Sequence, residues 1–419
     1  MVKLNQNTGT PGIPRNIGIE LTTGKYVSFI DADDWFHPNG LKVLSDILEE
    51  TGDNYAVGKT IKVSSNGESI IGEWQSNKER RNVSPFDIPY FFYHMGPHAR
   101  MMETSLLHNH LIGFPEMKFA EDKLFFFDVL INSTSVSTTT ETIYYVNRQD
   151  DNNQSLTKVT GVLEKRASDL KVIQHVKDKN LPSEQEKVLL NRIYEYDFLR
   201  TFDSMVFVNS KEKEKFFDLL EKAYETTKDL RYNFLENIEH PTYKLAMELY
   251  IDGQIENFIK LFTWVKKDKY KKYVIQDNIA YFEVPFLSGE QKYIEIPMFV
   301  RALDSYYSNN QFVQHIEIYS RNMEQINSIL IRDRNRVDNE LECRIEFLPD
   351  SNSMAYFKVD IAAIERLQNS YFTVYLKHSD YKLATLKKIN KTKINYKSKT
   401  MEFYITIANN LGLSIKDKE

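Results

Sequence analysis

Residues 9–41 read GTPGIPRNIGIELTTGKYVSFIDADDWFHPNGL, and this stretch decides the fold. Its middle, Tyr26 to Ile30, is apolar and partly β-branched, and Asp31-Ala32-Asp33-Asp34 stops it abruptly. That pattern predicts a short buried strand running into a loop. In HPNGLKVLSDILEE, Leu41, Leu44, Ile47 and Leu48 recur at helical spacing, which predicts an amphipathic helix. NYAVGKTIKVSS then reads as a strand, AEDKLFFFDVLINS as a helix and STSVSTTTETIYYVNR as a strand. Strand and helix alternate, which argues an α/β layer to about residue 155. Carboxylates at the C-terminal end of a strand in such a sheet stand where ligands bind.

Outward from this layer the pattern changes. VLEKRASDLKVIQHV, SEQEKVLLNRIYEYDFLRTFDSMV, SKEKEKFFDLLEKAYETT and PTYKLAMELYIDGQIENFIKLFTWV are amphipathic, so residues 156–268 are expected to be helical. Residues 269–419 carry short alternating runs such as KYIEIPMFV and MEFYITIA, which suggest an antiparallel β-sandwich.

The chain has 419 residues, 42% hydrophobic and 27% charged, enough to bury cores. Runs such as YVSFI and LFFF fall far short of the ~20 apolar residues of a membrane helix. MVKLNQNTGTPG has no apolar signal core, so a cytoplasmic location is expected. The single cysteine, Cys343, excludes an internal disulfide framework and cysteine-based zinc sites. A formal charge of −5 argues against a nucleic-acid partner.

Asp31 and Asp33, two apart, would share one face of a regular strand. Two such carboxylates suit Mn²⁺ or Mg²⁺ carrying a diphosphate. Taken alone, the spacing serves equally an acidic loop capping the next helix. Taken alone, Arg15 suits a helix-start salt bridge better than a ligand contact, and Glu121-Asp122 a charge pair meeting a helix dipole better than a catalytic pair.

Order adds what spacing lacks. Pro14-Arg15-Asn16-Ile17-Gly18, Gly24-Lys25-Tyr26 and Phe29-Ile30-Asp31-Ala32-Asp33-Asp34, followed by Glu121-Asp122 in FPEMKFAEDKLFFFDVLIN, resemble the family-2 glycosyltransferases of GT-A fold. Within that family they are similar to the enzymes that place N-acetylglucosamine on the poly(ribitol phosphate) of wall teichoic acid. The resemblance implies an inverting, metal-dependent transferase with a UDP-sugar donor and an anionic cell-envelope polymer as acceptor. It implies Mn²⁺ or Mg²⁺ on Asp33 and Asp31, with Asp31 also near the ribose. Arg15, Arg100 and Ser155 would meet the donor. Asp122 would be the general base, its pKa raised by Glu121.

The family opens with a P-x-Y/F-N strand and a second strand ending in D-D-x-S, and neither is present here. The resemblance therefore also implies a nucleotide-binding unit lacking its N-terminal part. The competing expectation is a non-catalytic relic that binds polymer or oligomerises through its β module. Self-association through that module and peripheral contact with the inner face of the membrane are further expectations.

Other residues carry weaker signals. RQDDNNQSLTK offers Arg148, Gln154 and Ser155 where relatives close over the diphosphate, but no histidine as a third metal ligand. His94, His98, His108 and His110 lack a zinc-like partner set and are expected to be structural or at the surface. Trp35 suits stacking on a sugar or base, and packing on a helix equally well. Lysines from Lys377 to Lys399 form a basic stretch that a solvated hairpin explains better than polymer binding.

Overall fold

The computed structural model describes residues 2–5, 7–149 and 161–418, which divide into two units: residues 1–63 with 70–269, and residues 64–69 with 270–419.

The first unit opens with helix α1 (Gly12–Leu21), β1 (Tyr26–Val27), β2 (Trp35–Phe36) and α2 (Gly40–Thr51). Then come β3 (Tyr55–Ser64), β4 (Gly67–Ile71), α3 (Glu73–Ser76), β5 (Arg80–Val83), β6 (Arg100–Glu103) and α4 (Thr104–Asn109). Helix α5 (Glu121–Asn132) and β7 (Val136–Asn147) complete the layer. Five strands of the seven-stranded sheet run β1-β6-β3-β7-β2, with β3 parallel to β7 and β6 antiparallel to both β1 and β3. It is a mixed sheet.

Helix α2 follows the sequence pattern, burying Leu44, Ile47 and Leu48 and leaving Leu41 exposed. It ends at Gly52, whose left-handed backbone (φ 71°) brings its amide to the Leu48 carbonyl. Its start crosses β7 closely: a Cβ on Gly40 would stand 2.5 Å from the Ile143 carbonyl oxygen. Gly40→Ala is therefore expected to cost about 1–3 kcal/mol, because a backbone carbonyl must give way. Urea unfolding reads this directly, and an unchanged midpoint would contradict it.

The strand predicted at Tyr26–Ile30 is shorter than its apolar run. Only Tyr26 and Val27 pair with β6, and the chain then leaves the ladder. Ser28 donates through its hydroxyl to the Arg100 carbonyl, Phe29 turns into the core and Ile30 is exposed. Helix α5 is buried nearly all round, Leu124 to Phe127, Val129 and Leu130 included, as an interior helix should be.

Helices Val162–Asp178 and Ser183–Asn191, and the π-helical segment Arg192–Leu199, pack into the same core as α5. Val172, Ile173, Leu189, Ile193 and Phe198 share it with Phe91, Phe92 and Phe125. Among the described residues, no helix is long and apolar enough to cross a membrane.

The second unit is sheet-rich, with a three-stranded sheet and an eleven-stranded one. The larger sheet's core includes Phe312, stacked on Phe403 at 3.6 Å between ring centroids. Strand Phe299–Ser308 pairs in parallel with Lys382–Lys388, an exception to the antiparallel pattern.

Candidate active site

Three aromatic rings form the floor of the site. Phe114 stacks on Phe125 of α5 at 3.9 Å, and Phe29 meets both edge-on at 5.3 and 5.6 Å. Each ring anchors a polar group above it. Phe29 precedes the acidic turn by two residues, and the Arg15 guanidinium lies 5.2 Å over Phe114. Phe125 sits three residues after Asp122, on a neighbouring face of α5. Asn16 fixes Phe114 by bonding its backbone from both sides, at 2.8 and 2.7 Å.

On this floor Arg15 spans two carboxylates. One guanidinium nitrogen donates to Asp31 at 2.7 Å and another to Asp122 at 2.6 Å. The fixed fork of arginine, with two nitrogens aimed at two separate carboxylates, suits such a bridge. Asp31 and Asp122 are the more open members, at 35% and 28% side-chain exposure, while Arg15 is 11% exposed.

The acidic loop is a turn, closed by the Asp34 amide donating to the Asp31 carbonyl at 3.1 Å. The turn carries Asp34 inward. Its carboxylate accepts from the Asn147 amide at 2.8 Å and from the Tyr144 hydroxyl at 3.1 Å. The same hydroxyl accepts the Asp31 amide at 3.0 Å, so β7 holds the turn at two points. Opposite lies His98, its Nε2 3.7 Å from Asp31 and 3.8 Å from Asp34. One ligand atom from each of Asp31, Asp34 and His98 falls within 4.8 Å of the others.

Residues 1–114 match the profile of glycosyl transferase family 2. This segment belongs to that family. The chain is 32% identical over 165 residues to the poly(ribitol-phosphate) beta-N-acetylglucosaminyltransferase TarP of Staphylococcus aureus, a match covering 38% of this chain and 49% of TarP. The chain thus spans about half the length of that relative. The crystal structure of S. aureus TarS superposes with a TM-score of 0.55 at 16% identity, over 99% of this chain and 74% of TarS. TarS 1–349 in complex with UDP-GlcNAc gives 0.55 at 20% identity, over 70% of this chain and 82% of that one. These two likenesses show the fold: a mixed-sheet layer, a helical region and a sheet-rich C-terminal region.

The residues singled out from the sequence fall into place unevenly. Arg15, Asp31 and, from α5, Glu121 and Asp122 come together. Asp31 and Asp33 do not share a face, because a turn replaces the strand, and Asp33 is exposed on its outer side. Asp34 takes the inward position instead. His98, expected to be structural or exposed, faces the two carboxylates. Arg100 is fully buried and donates to the His98 and His94 carbonyls and to Gln75. It braces the loop that carries His98 and is shut off from the surface, where a donor would arrive. Trp35 stacks on Tyr145 at 5.4 Å and is still 41% exposed. Ser155 and Gln154 lie outside the described residues. In the second unit the basic stretch is largely committed: Lys377, Lys391 and Lys397 lie 3.4, 3.9 and 2.6 Å from Glu342, Glu402 and Glu365, and Lys388 is buried against Gln314.

The carboxylates differ in charge state. Burial opposes ionisation of Asp31, but the His98 imidazole and Arg15 outweigh it and hold the carboxyl down to about 2. Glu121 is pushed up to about 7, by burial first and by Asp122 second. Burial also raises Asp122, against the pull of Arg15. Because folding raises the Glu121 pKa, its contribution to stability is full below about pH 4.5 and is lost as pH rises through about 7. Stability is therefore expected to decline over that window by no more than about 3 kcal/mol, and Glu121→Gln to flatten the decline. Urea unfolding across pH measures both, and parallel curves for the two proteins would refute the assignment.

Proposed function

We propose that this chain transfers a sugar, N-acetylglucosamine by analogy with TarP, from UDP to a hydroxyl of a polyol-phosphate polymer, with inversion at the anomeric carbon. The observation that carries the reading is Arg15 joining Asp31 to Asp122. One guanidinium thereby links the acidic turn, the donor side, to the carboxylate on the acceptor side.

Asp122 receives the proton of the attacking hydroxyl. Burial makes it a better base than a free carboxylate, and its partial exposure lets a hydroxyl reach it. Its bond to Arg15 must loosen first. Arg15 can turn its fork toward an arriving diphosphate, which frees Asp122 as the donor binds. Glu121, pushed up to about 7, places less negative charge beside Asp122 than an ordinary glutamate would.

Asp31, Asp34 and Asp122 face a diphosphate with Arg15 as the nearest positive group, so an anionic donor fits only with a cation between. Two carboxylate oxygens and one imidazole nitrogen suit Mn²⁺ better than Mg²⁺, which favours oxygen alone. The ion on Asp31, Asp34 and His98 would offset charge on the departing diphosphate. The likeness to TarP and TarS supports a site of action inside the cell, where UDP-sugars are made.

The test is to incubate the chain with UDP-N-acetylglucosamine, Mn²⁺ and poly(ribitol phosphate), and to follow UDP release and sugar on the polymer. Polymer-dependent release supports the reading. No release, together with no Mn²⁺-dependent binding of UDP by calorimetry, ends it.

A further inference from the structure

Beside the site lies a second charged cluster for which the chemistry above has no use. Lys123, adjacent to Asp122 on α5, donates to Asp169 and, at 2.7 Å, to Asp197. Asp169 stands on helix Val162–Asp178 and Asp197 in the π-helical segment Arg192–Leu199. Arg166 holds Asp169 at 3.0 Å, and Arg192 pairs with Asp197 while donating to the Phe92 carbonyl at 3.2 Å. None of these five side chains is more than 11% exposed.

Stability does not account for such a cluster, since apolar side chains of like volume often do as well or better. Two backbone features accompany it. The π-helical segment links residues five apart, which brings Arg192 and Asp197 to one face, as an ordinary α-helix would not. Ala120, just before Glu121, is held left-handed at φ 73°, a conformation that costs a residue with a Cβ about 1 kcal/mol or more. The first turn of α5 is thus held in place by its surroundings rather than by local preference.

We propose that Lys123, gripped by Asp169 and Asp197, is a positioning residue that sets the rotation of α5 and so aims the Asp122 carboxylate at Arg15 and the acceptor. The proposal rests on the reading of Asp122 as the base. Consecutive helix residues are turned by a fixed angle, so clamping one side chain from the helical region fixes the direction of the next. The helical region then acts on the reaction without touching a substrate.

The double variant Lys123→Met/Asp169→Asn removes one charge of each sign and so preserves the net charge of the cluster. Its kcat is expected to fall about tenfold to hundredfold, as for a slightly misplaced catalytic group. KM for UDP-N-acetylglucosamine and the calorimetric affinity for UDP with Mn²⁺ should stay within about twofold. Amide exchange at residues 124–127 should quicken about tenfold while the rest of the unit is unchanged. Lys123→Arg should restore most of the turnover. If the double variant does not fold, Arg166→Met at the rim of the cluster is read in the same way. Wild-type kcat in a folded variant overturns the clamp. If the wild-type chain transfers no sugar at all, the transferase reading fails by itself. Exchange then decides the clamp, and unchanged protection at residues 124–127 overturns it.

Discussion

Asp122→Asn is expected to lower transfer about 10²- to 10⁴-fold while leaving UDP affinity within about twofold. The substitution keeps shape and removes basicity. An amide oxygen can still accept from Arg15 at the 2.6 Å contact, so the fork and the floor beneath it stay in place. An amide cannot take up a proton near neutral pH, so the attacking hydroxyl keeps its own. The loss should therefore fall on kcat and hardly at all on KM for the donor. Steady-state kinetics with the polymer saturating, beside calorimetry with UDP and Mn²⁺, separate the two. Equal turnover in the variant would take Asp122 out of the role. A parallel loss of UDP affinity would mean that Asp122 acts by holding Arg15 for the donor. Glu121→Gln makes a useful companion, since it removes the titration of a carboxyl pushed up to about 7 and leaves the Asp122 carboxylate in place.

Periodicity made α2 and α5 legible, and the order of short motifs singled out Arg15, Asp31 and Glu121-Asp122, of which the fold pairs Arg15 with Asp31 and with Asp122. What remained hidden was tertiary. Tyr26–Ile30 has the composition of a buried strand, yet β6 pairs with only its first two residues, and Phe29 is drawn out of the ladder by Phe114 and Phe125. Once the ladder ends, a period of two no longer assigns faces. That is why Asp34 rather than Asp33 points inward, held by Tyr144 and Asn147 of a strand more than a hundred residues away. His98 gave no signal because its partners are carboxylates far along the chain, whereas the spacing rules for histidine ligands are local. Arg100 illustrates the reverse error. An arginine suggests a surface contact, but β6 buries it, and the nearby backbone carbonyls supply its partners.

The second large effect concerns the cation. Asp34→Ala and His98→Ala are each expected to weaken Mn²⁺-dependent binding of UDP by at least about tenfold to hundredfold, as the loss of one ligand from a small donor set should. Binding measured with EDTA in place of Mn²⁺ should barely change, because neither side chain would touch the nucleotide itself. Asp34→Ala carries a structural cost as well, since the Asn147 amide and the Tyr144 hydroxyl lose their acceptor. His98→Ala is the cleaner test: the turn keeps its bonds to Tyr144 and Asn147, and the partners of the imidazole are the two carboxylates themselves. Asp33→Ala is the discriminating control. On the geometry of the turn it should keep most of the Mn²⁺ effect, because its side chain lies outside the cluster of ligand atoms. Calorimetry with UDP across the three variants, with and without Mn²⁺, decides between the two aspartates. If Asp33→Ala alone abolished the Mn²⁺ effect while the other two kept it, the ion would belong to the Asp31–Asp33 pair, and the turn would have to rearrange when the donor binds.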